Sequence, residues 1–281
     1  SFTPEELDVT LAQLHSKRFH VAGVDAIAER LQVIARSSYE VDFGDDTVLS
    51  ERVIWPTASN ERRGIEDARW VRFTGPGGET AYRCTYTGFD GQSVVPRVLE
   101  TVDFRCFSST DLTGPAALNK GIALFPRQVG GTYMALSRWD REANSIATSD
   151  DGYHWSRGKT FAQSSQPWEL VQSGNCGSPM ETEAGWLVIT HGTGPMRKYV
   201  LGAILLDLDD PTVLLGSLDS PLLEPIASER NGYVPNVVYS CGGVIHGKRL
   251  ILPYGFSDTG TRIATIDVDE LLDQMGAVRP R

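Results

Sequence analysis

Cysteine is scarce and scattered in this chain of 281 residues: Cys84, Cys106, Cys176 and Cys241 form no Cys-x-x-Cys pair. That spacing supports neither a zinc site nor a disulfide framework, and the thiols read as four buried side chains in a reducing cytoplasm. Long apolar runs are missing too. Nothing approaches the roughly 20 residues that a membrane-crossing helix needs, and no basic stretch followed by an apolar one opens the chain. Positive charge is in deficit, with 26 Lys and Arg against 36 Asp and Glu and a net charge of −10. A polyphosphate backbone would be a poor partner for such a surface, which argues against nucleic acid. A cytoplasmic protein without a membrane partner or a metal is the expectation.

Turn-formers and aromatics are plentiful: 28 Gly, 15 Pro, 6 Trp and 9 Tyr, with 41% hydrophobic and 22% charged residues, the balance of a folded chain made of many short strands. Only the beginning reads otherwise. Thr3-Pro4-Glu5-Glu6 has the pattern of a helix start, with Leu7, Leu11 and Leu14 following at helical spacing. A second helix is expected from about Asp25 to Arg36, with Ile27, Leu31, Ile34 and Ala35 on one stripe. Residues 1–39 therefore read as a helical arm or insertion and residues 40–281 as a strand-built domain. The chain opens on Ser1 rather than Met, in what reads as the middle of a protein, so a segment upstream is expected.

From Glu66 onward, short apolar or β-branched runs alternate with Gly, Asp, Asn and Pro turns. Strands are expected at Ala68–Phe73, Thr80–Thr87, Phe104–Ser108, Gly121–Phe125, Thr132–Ser137, Ser145–Thr148, Gly185–Thr190, Val200–Leu206, Val234–Tyr239 and Arg249–Tyr254. Four segments close in the same way, as a strand running into an acidic turn: 104–111, 145–151, 200–207 and 262–267. A strand-only repeat of about 40 to 60 residues is the linear form of propeller blades, with a two-sheet sandwich as the alternative.

In a propeller the innermost strands converge on an axial cavity, so a site would be scattered along the chain. Four places carry candidate chemistry. In Asn60–Arg69 acids and bases interleave before a strand; it reads either as a solvated charge ribbon or as a site in which Asp67 faces the axis as a proton donor. Lys120 and Arg138 flank apolar strands and could form an anion site, or remain separate surface cations. His191 closes a strand beside Gly192, with Glu181 at the mouth of the preceding strand. The segment Glu229–Tyr239 and the turn at Asp258 complete the set, Asp258 either capping its turn or holding sugar hydroxyls.

At these blocks the sequence resembles glycoside hydrolase family 130, the mannoside phosphorylases and related β-mannosidases, over about residues 50 to 275. The motifs are Gly64-Ile65-Glu66-Asp67-Ala68-Arg69, Asn119-Lys120 to Phe125-Pro126, Gly185-Trp186-Leu187 to His191-Gly192, Val234-Pro235-Asn236-Val237-Val238, and Tyr254-Gly255 to Asp258. The resemblance implies an all-β, five-bladed β-propeller with its first blade incomplete in this chain. It implies inverting chemistry on β-mannosides: Asp67 as proton donor, Lys120, Arg138 and His191 on phosphate, and Arg69, Glu181, Glu229, Asn236 and Asp258 around the sugar. Inorganic phosphate would be a co-substrate and no other cofactor is implied; the partner is an oligosaccharide, with a homo-oligomer left open. Lys120, Arg138 and His191 are expected from separate blades, gathering positive charge for an anionic acceptor and the release of mannose 1-phosphate. Gln172 and Ser173 stand where many phosphorylases carry a phosphate-binding lysine, which keeps open an inverting β-mannosidase with Glu181 or Glu229 as base; a non-catalytic sugar-binding propeller is the competing class.

Overall fold

The structure is a computed structural model that describes residues 4–16, 27–28, 31–32, 35, 37–141, 144–161 and 166–276. Helix α1 (Pro4–Ser16) matches the sequence expectation, with Leu7 and Leu11 buried. Its expected cap at Thr3, the side chain of Leu14 and most of the second expected helix, Ile34 included, lie outside the described residues. The described positions of that second segment are helical, but the expected stripe is turned. Ile27 and Leu31 are exposed, and Ala28 instead packs against Leu7 and Leu11 with Ala35 beside it.

Beyond the helices the chain forms four antiparallel sheets. The first blade combines β1 (Tyr39–Asp42), β2 (Ile65–Thr74), β3 (Thr80–Phe89), β4 (Val94–Thr101) and β5 (Cys106–Asp111), in the order β1-β5-β4-β3-β2. The second holds β6 (Ala123–Leu124), β7 (Tyr133–Ser137), β8 (Ser145–Ser149) and β9 (Ser156–Thr160) in sequence order. In the third, β10 (Gln172–Asn175), β12 (Gly185–Thr193), β13 (Tyr199–Leu206) and β14 (Leu214–Ser217) follow one another, with β11 (Met180–Thr182) paired to β12. The fourth is built on β17 (Arg249–Phe256), which pairs with β15 (Val238–Tyr239), β16 (Val244–His246) and β18 (Gly260–Asp267), and helix α2 (Val268–Gln274) follows it. This is a β-propeller of four blades among the described residues, where five were expected. An incomplete blade ahead of these four is not among the described residues, and the first of the four is a five-stranded sheet in which β1 pairs with β5.

Each blade buries its faces against its neighbours, and that sets the pattern of hydrophobic residues. Val71, Val98, Ala135, Ala147 and Trp155 fill the space between the first and second blades. Phe125, Leu136, Ile146, Trp186, Val188 and Leu206 fill the next, and Leu187, Ile189, Leu201, Leu250 and Leu252 the one after, closed from below by Leu271 and Leu272 of α2. Strand β12 lies between two such layers, so all nine of its residues are buried, and its stretch Trp186–Ile189 reads as a continuous apolar run rather than an alternation.

Two small devices recur. After the third strand of each blade an aspartate accepts backbone N–H groups two and three residues on: Asp103 from Arg105 and Cys106, Asp151 from Tyr153 and His154, Asp207 from Asp209 and Asp210, Asp267 from Asp269 and Glu270. These Asx turns are the acidic repeat seen in the sequence. Three of the four segments were in register; in the first blade the repeat ends at Asp103, after β4, and not at Asp111. The second device is a single 3-10 turn ending in a buried glutamate ahead of β2, β10 and β15: Ser59–Glu61, Pro167–Glu169 and Ala227–Glu229, with the glutamates 0%, 6% and 1% exposed.

The thiols are not uniformly buried. Cys84 and Cys176 are, Cys241 is half-buried, and Cys106 is exposed at the edge of β5; all four are free. Among the described residues no helix is long and apolar enough to cross a membrane.

Candidate active site

The entry of each innermost strand and the turns joining the second and third strands lie at one end of the propeller, around a cavity of about 450 Å³. The first blade contributes Asp67, Arg69 and Val94. The second contributes Asn119, Lys120, Gly121, Arg138 and Arg141. Gln172, His191 and Tyr199 come from the third and Tyr239 from the fourth.

Asp67 owes its position to a β-bulge. The β2–β3 register shifts between Glu66 and Arg69, and Asp67 takes φ 61, a left-handed conformation that aspartate tolerates better than most residues. Its carboxyl group is 25% exposed and lies 3.6 Å from Arg69 Nη2. Arg69, only 2% exposed, donates to the carbonyl of Asp67 at 2.8 Å, to the carbonyl of Cys176 at 2.9 Å and to the Tyr239 hydroxyl at 2.9 Å. Burial works against its charge, but the Tyr239 hydroxyl and the Asp67 carboxylate outweigh it and hold Arg69 above the ordinary arginine value.

A group of cations shares the cavity. Arg138 is 8% exposed, donates to the carbonyl of Arg141 at 2.9 Å and approaches His191 Nε2 at 3.4 Å. It pairs with no carboxylate among the described residues, and its buried Nε has no hydrogen-bond partner, nor has Asn175 Oδ1 nearby. Burial, then the charge of Arg69, lowers its affinity for the proton. Gly174 permits this packing, because a Cβ there would stand 2.5 Å from Arg138 Nη1 and 2.7 Å from His191 Cε1. Arg141 is held by Asn119 Oδ1 at 2.8 Å. Lys120 pairs with Glu66 at the exposed rim.

His191 is not a cation. Burial, reinforced by Arg138 and Arg69, pushes it down to about 3, so the ring is neutral and packs between Tyr199 and Tyr239 at centroid distances of 6.3 and 5.2 Å. The cations also do not come from separate blades, since Lys120 and Arg138 both belong to the second.

Asp67, Arg69, Lys120, Arg138 and His191 thus meet in one cavity, while the other expected residues lie elsewhere. Glu181 faces Trp186 in the β11–β12 pair, five residues and about 16 Å along the strand from His191, and forks onto Arg127 with one contact of 2.9 Å. Glu229 is enclosed by the backbone N–H of Ile226 at 3.1 Å, Tyr254 at 3.1 Å and Arg262 at 2.8 Å. Asn236, at φ 61, accepts from the Tyr199 amide, and Asp258, at φ 52, is exposed in the β17–β18 turn on the cavity's end of the fold. Arg141 and Tyr199 line the cavity without having been picked out, and Tyr239 does so from a segment that was marked without naming it as a site residue. The tyrosines stand at the edges of strands that were recognised, and a polar turn directly after Arg138 was the available pointer to Arg141. Gln172 lines the cavity as a neutral amide.

Comparison with known proteins agrees with this geometry. The family model for beta-1,4-mannooligosaccharide phosphorylase, that of glycoside hydrolase family 130, matches residues 31–277. The chain is 32% identical to the 1,2-beta-oligomannan phosphorylase of Thermoanaerobacter sp. (strain X514), covering 85% of this chain and 80% of that one. It is also 32% identical to the beta-1,2-mannobiose phosphorylase of Listeria innocua, covering 86% of this chain and 68% of that one. The solved structure of a Listeria innocua beta-1,2-mannobiose phosphorylase in complex with beta-1,2-mannobiose superposes with a TM-score of 0.71 at 29% identity, over 83% of this chain and 65% of that chain. Motifs, blades and cavity residues therefore lead to one assignment: the chain belongs to glycoside hydrolase family 130.

Proposed function

We propose that this protein is an enzyme that cleaves β-mannosides by phosphorolysis with inversion, releasing mannose 1-phosphate. One observation carries the reading: among the described residues Asp67 is the only carboxylate lining the cavity, which it shares with Lys120, Arg138 and Arg141. An inverting hydrolase needs a second carboxylate to activate water, whereas phosphate is itself the nucleophile and needs cations to hold it. Glu181 and Glu229, the candidate bases for hydrolysis, are engaged in ion pairs outside the cavity. The relatives from Thermoanaerobacter and Listeria innocua are phosphorylases of β-1,2-linked mannosides, which makes that linkage the first to test.

In this mechanism the Asp67 carboxyl gives its proton to the glycosidic oxygen as the bond to C1 breaks. A phosphate oxygen, held by Arg138 with Arg141 and Lys120, forms the new bond to C1 from the opposite face. Neutral His191 serves as a hydrogen-bonding and packing partner in the phosphate pocket, and Asn236 and Asp258, outside the cavity lining, are offered to the hydroxyls of a sugar that extends beyond it. Gln172 favours hydrolysis as the second reading, because it adds an uncharged amide where a further cation would help to bind phosphate. Incubation with β-1,2-mannobiose decides between them: mannose 1-phosphate formed only with inorganic phosphate supports phosphorolysis. Mannose released equally fast without phosphate makes the enzyme a hydrolase, and binding without turnover under either condition makes it a sugar-binding propeller.

A further inference from the structure

Arg69 stands in the catalytic motif and can be read as a sugar ligand, yet the three hydrogen bonds it makes all stay inside the protein. Its Nε reaches the carbonyl of Cys176 in the third blade and its Nη2 the hydroxyl of Tyr239 in the fourth, while Nη1 returns to the carbonyl of Asp67 in its own strand. The guanidinium thus ties three blades together directly beneath a residue whose backbone is left-handed and bulged. The third and fourth blades approach closely enough to be reached together because Gly177 has no side chain; a Cβ there would stand 2.5 Å from Gly242 Cα. Tyr239 in turn rests against the His191 ring, so the same contact connects the carboxylate side of the cavity to its anion side.

We propose that Arg69 and Tyr239 are a positioning pair for Asp67, acting on the reaction through that carboxylate and not through the sugar or phosphate. A left-handed aspartate on a bulge has no regular strand hydrogen bonding to fix it. Arg69 supplies that restraint by gripping the Asp67 carbonyl, and Tyr239 keeps the guanidinium plane turned so that it can do so. A small displacement of a proton donor costs ten- to a hundredfold in rate without changing what binds.

The inference rests on Asp67 as the proton donor, and the test separates the two. With β-1,2-mannobiose and inorganic phosphate as substrates, kcat and both KM values are measured for Y239F, R69K, D67N and the D67N/Y239F double variant, alongside thermal unfolding. Y239F keeps the ring against His191 and removes only the hydroxyl. It is expected to unfold within about 3 °C of wild type, with kcat lowered about tenfold and both KM values within about twofold. R69K, which cannot serve three acceptors in one plane, is expected to lose at least as much. Because the pair acts through Asp67, the double variant should be no slower than D67N alone. Wild-type kcat in Y239F while D67N is inactive overturns the pairing, and so does a tenfold rise in either KM with kcat unchanged, which would make Tyr239 a ligand. Full activity in D67N removes the proton-donor reading itself. Should R69K fail to fold, Y239F alone decides.

Discussion

Asp67 combines the requirements of a proton donor in one side chain: a carboxyl group at the cavity, partial exposure, and a backbone conformation that places it off the regular strand. Asparagine is equally at home at positive φ, so Asp67→Asn should leave the unfolding temperature unchanged while turnover falls by about two or more orders of magnitude. His191 makes a different and purely thermodynamic prediction. Its folded value of about 3 lies below the ordinary 6.5, so between those limits the unfolded chain binds a proton that the folded chain refuses. Its contribution is fully present above about pH 6.5 and is lost as pH falls toward 3, at about 1.4 kcal/mol per pH unit. Urea unfolding at pH 7 and pH 5 should therefore show wild type losing about 2 kcal/mol more than His191→Gln over that interval. Equal losses in the two proteins would mean that the ring is charged or solvated.

At the level of the element, the 3-10 turns and Asx turns hold the blades in position. Glu61 caps its own turn through the amides of Thr57 and Ala58 at 2.8 and 3.0 Å, and its other oxygen meets Arg97 Nε at 2.9 Å, with both side chains 0% exposed. Arg97 keeps a second carboxylate partner in Asp111, so Glu61→Ala should cost about 2–3 kcal/mol in chemical unfolding, from the lost turn cap and the buried hydrogen bonds left unmade. By contrast Asp267, at the N-cap of α2, accepts amides at 3.0 and 3.2 Å where water can substitute, so Asp267→Ala should cost only about 1 kcal/mol. If the two variants were equally destabilised, burial would not be what distinguishes these devices. Pro96 shows why strand β4 escaped the sequence reading: it sits opposite Thr87 in the interior of a sheet, where proline is rare.

Across the whole molecule, stability comes from layers between blades, and Trp186 exemplifies them. It is 0% exposed, meets Phe125 of the second blade edge to face at 5.1 Å, and carries Arg127 over its ring at 4.9 Å. Trp186→Ala should cost about 3–5 kcal/mol and lower the midpoint of a single unfolding transition. Loss of one blade's signal ahead of the others would show that the layers do not couple them. The fourth blade's other face leaves Val244 and Ile263 exposed at 59% and 68%, and the segment beside the first blade does the same with Trp55 at 72%. Apolar residues on a chain so strongly negative are therefore concentrated, but not all enclosed, by the four sheets.

Hydrophobic alternation and punctuation by Gly, Asp and Pro marked ten places where strands occur, because strand period and turn chemistry are local properties, but the runs expected at Gly121–Phe125 and Val234–Tyr239 are strand only at Ala123–Leu124 and Val238–Tyr239. The acidic repeat was legible for the same reason: each aspartate bonds amides only two and three residues away. The motif around Asp67 and the cations at Lys120 and Arg138 could likewise be marked as chemistry-bearing from residue type and neighbours. What lies apart in the chain could not be weighed that way. Whether Glu181 and Glu229 face substrate depends on which end of a strand meets the axis and on which arginine stands opposite, and both are set by the packing of blades. The neutrality of His191 follows from its enclosure between two tyrosines beside two guanidinium groups, contacts that span the second, third and fourth blades and Arg69 of the first. The make-up of the first blade depends on the pairing of β1 with β5, 64 or more residues apart in sequence, for which no local pattern exists. Residue chemistry and strand period were thus written in the sequence, while charge state, orientation and partnership were decided by tertiary contacts, because burial and long-range electrostatics exist only once distant segments are brought together.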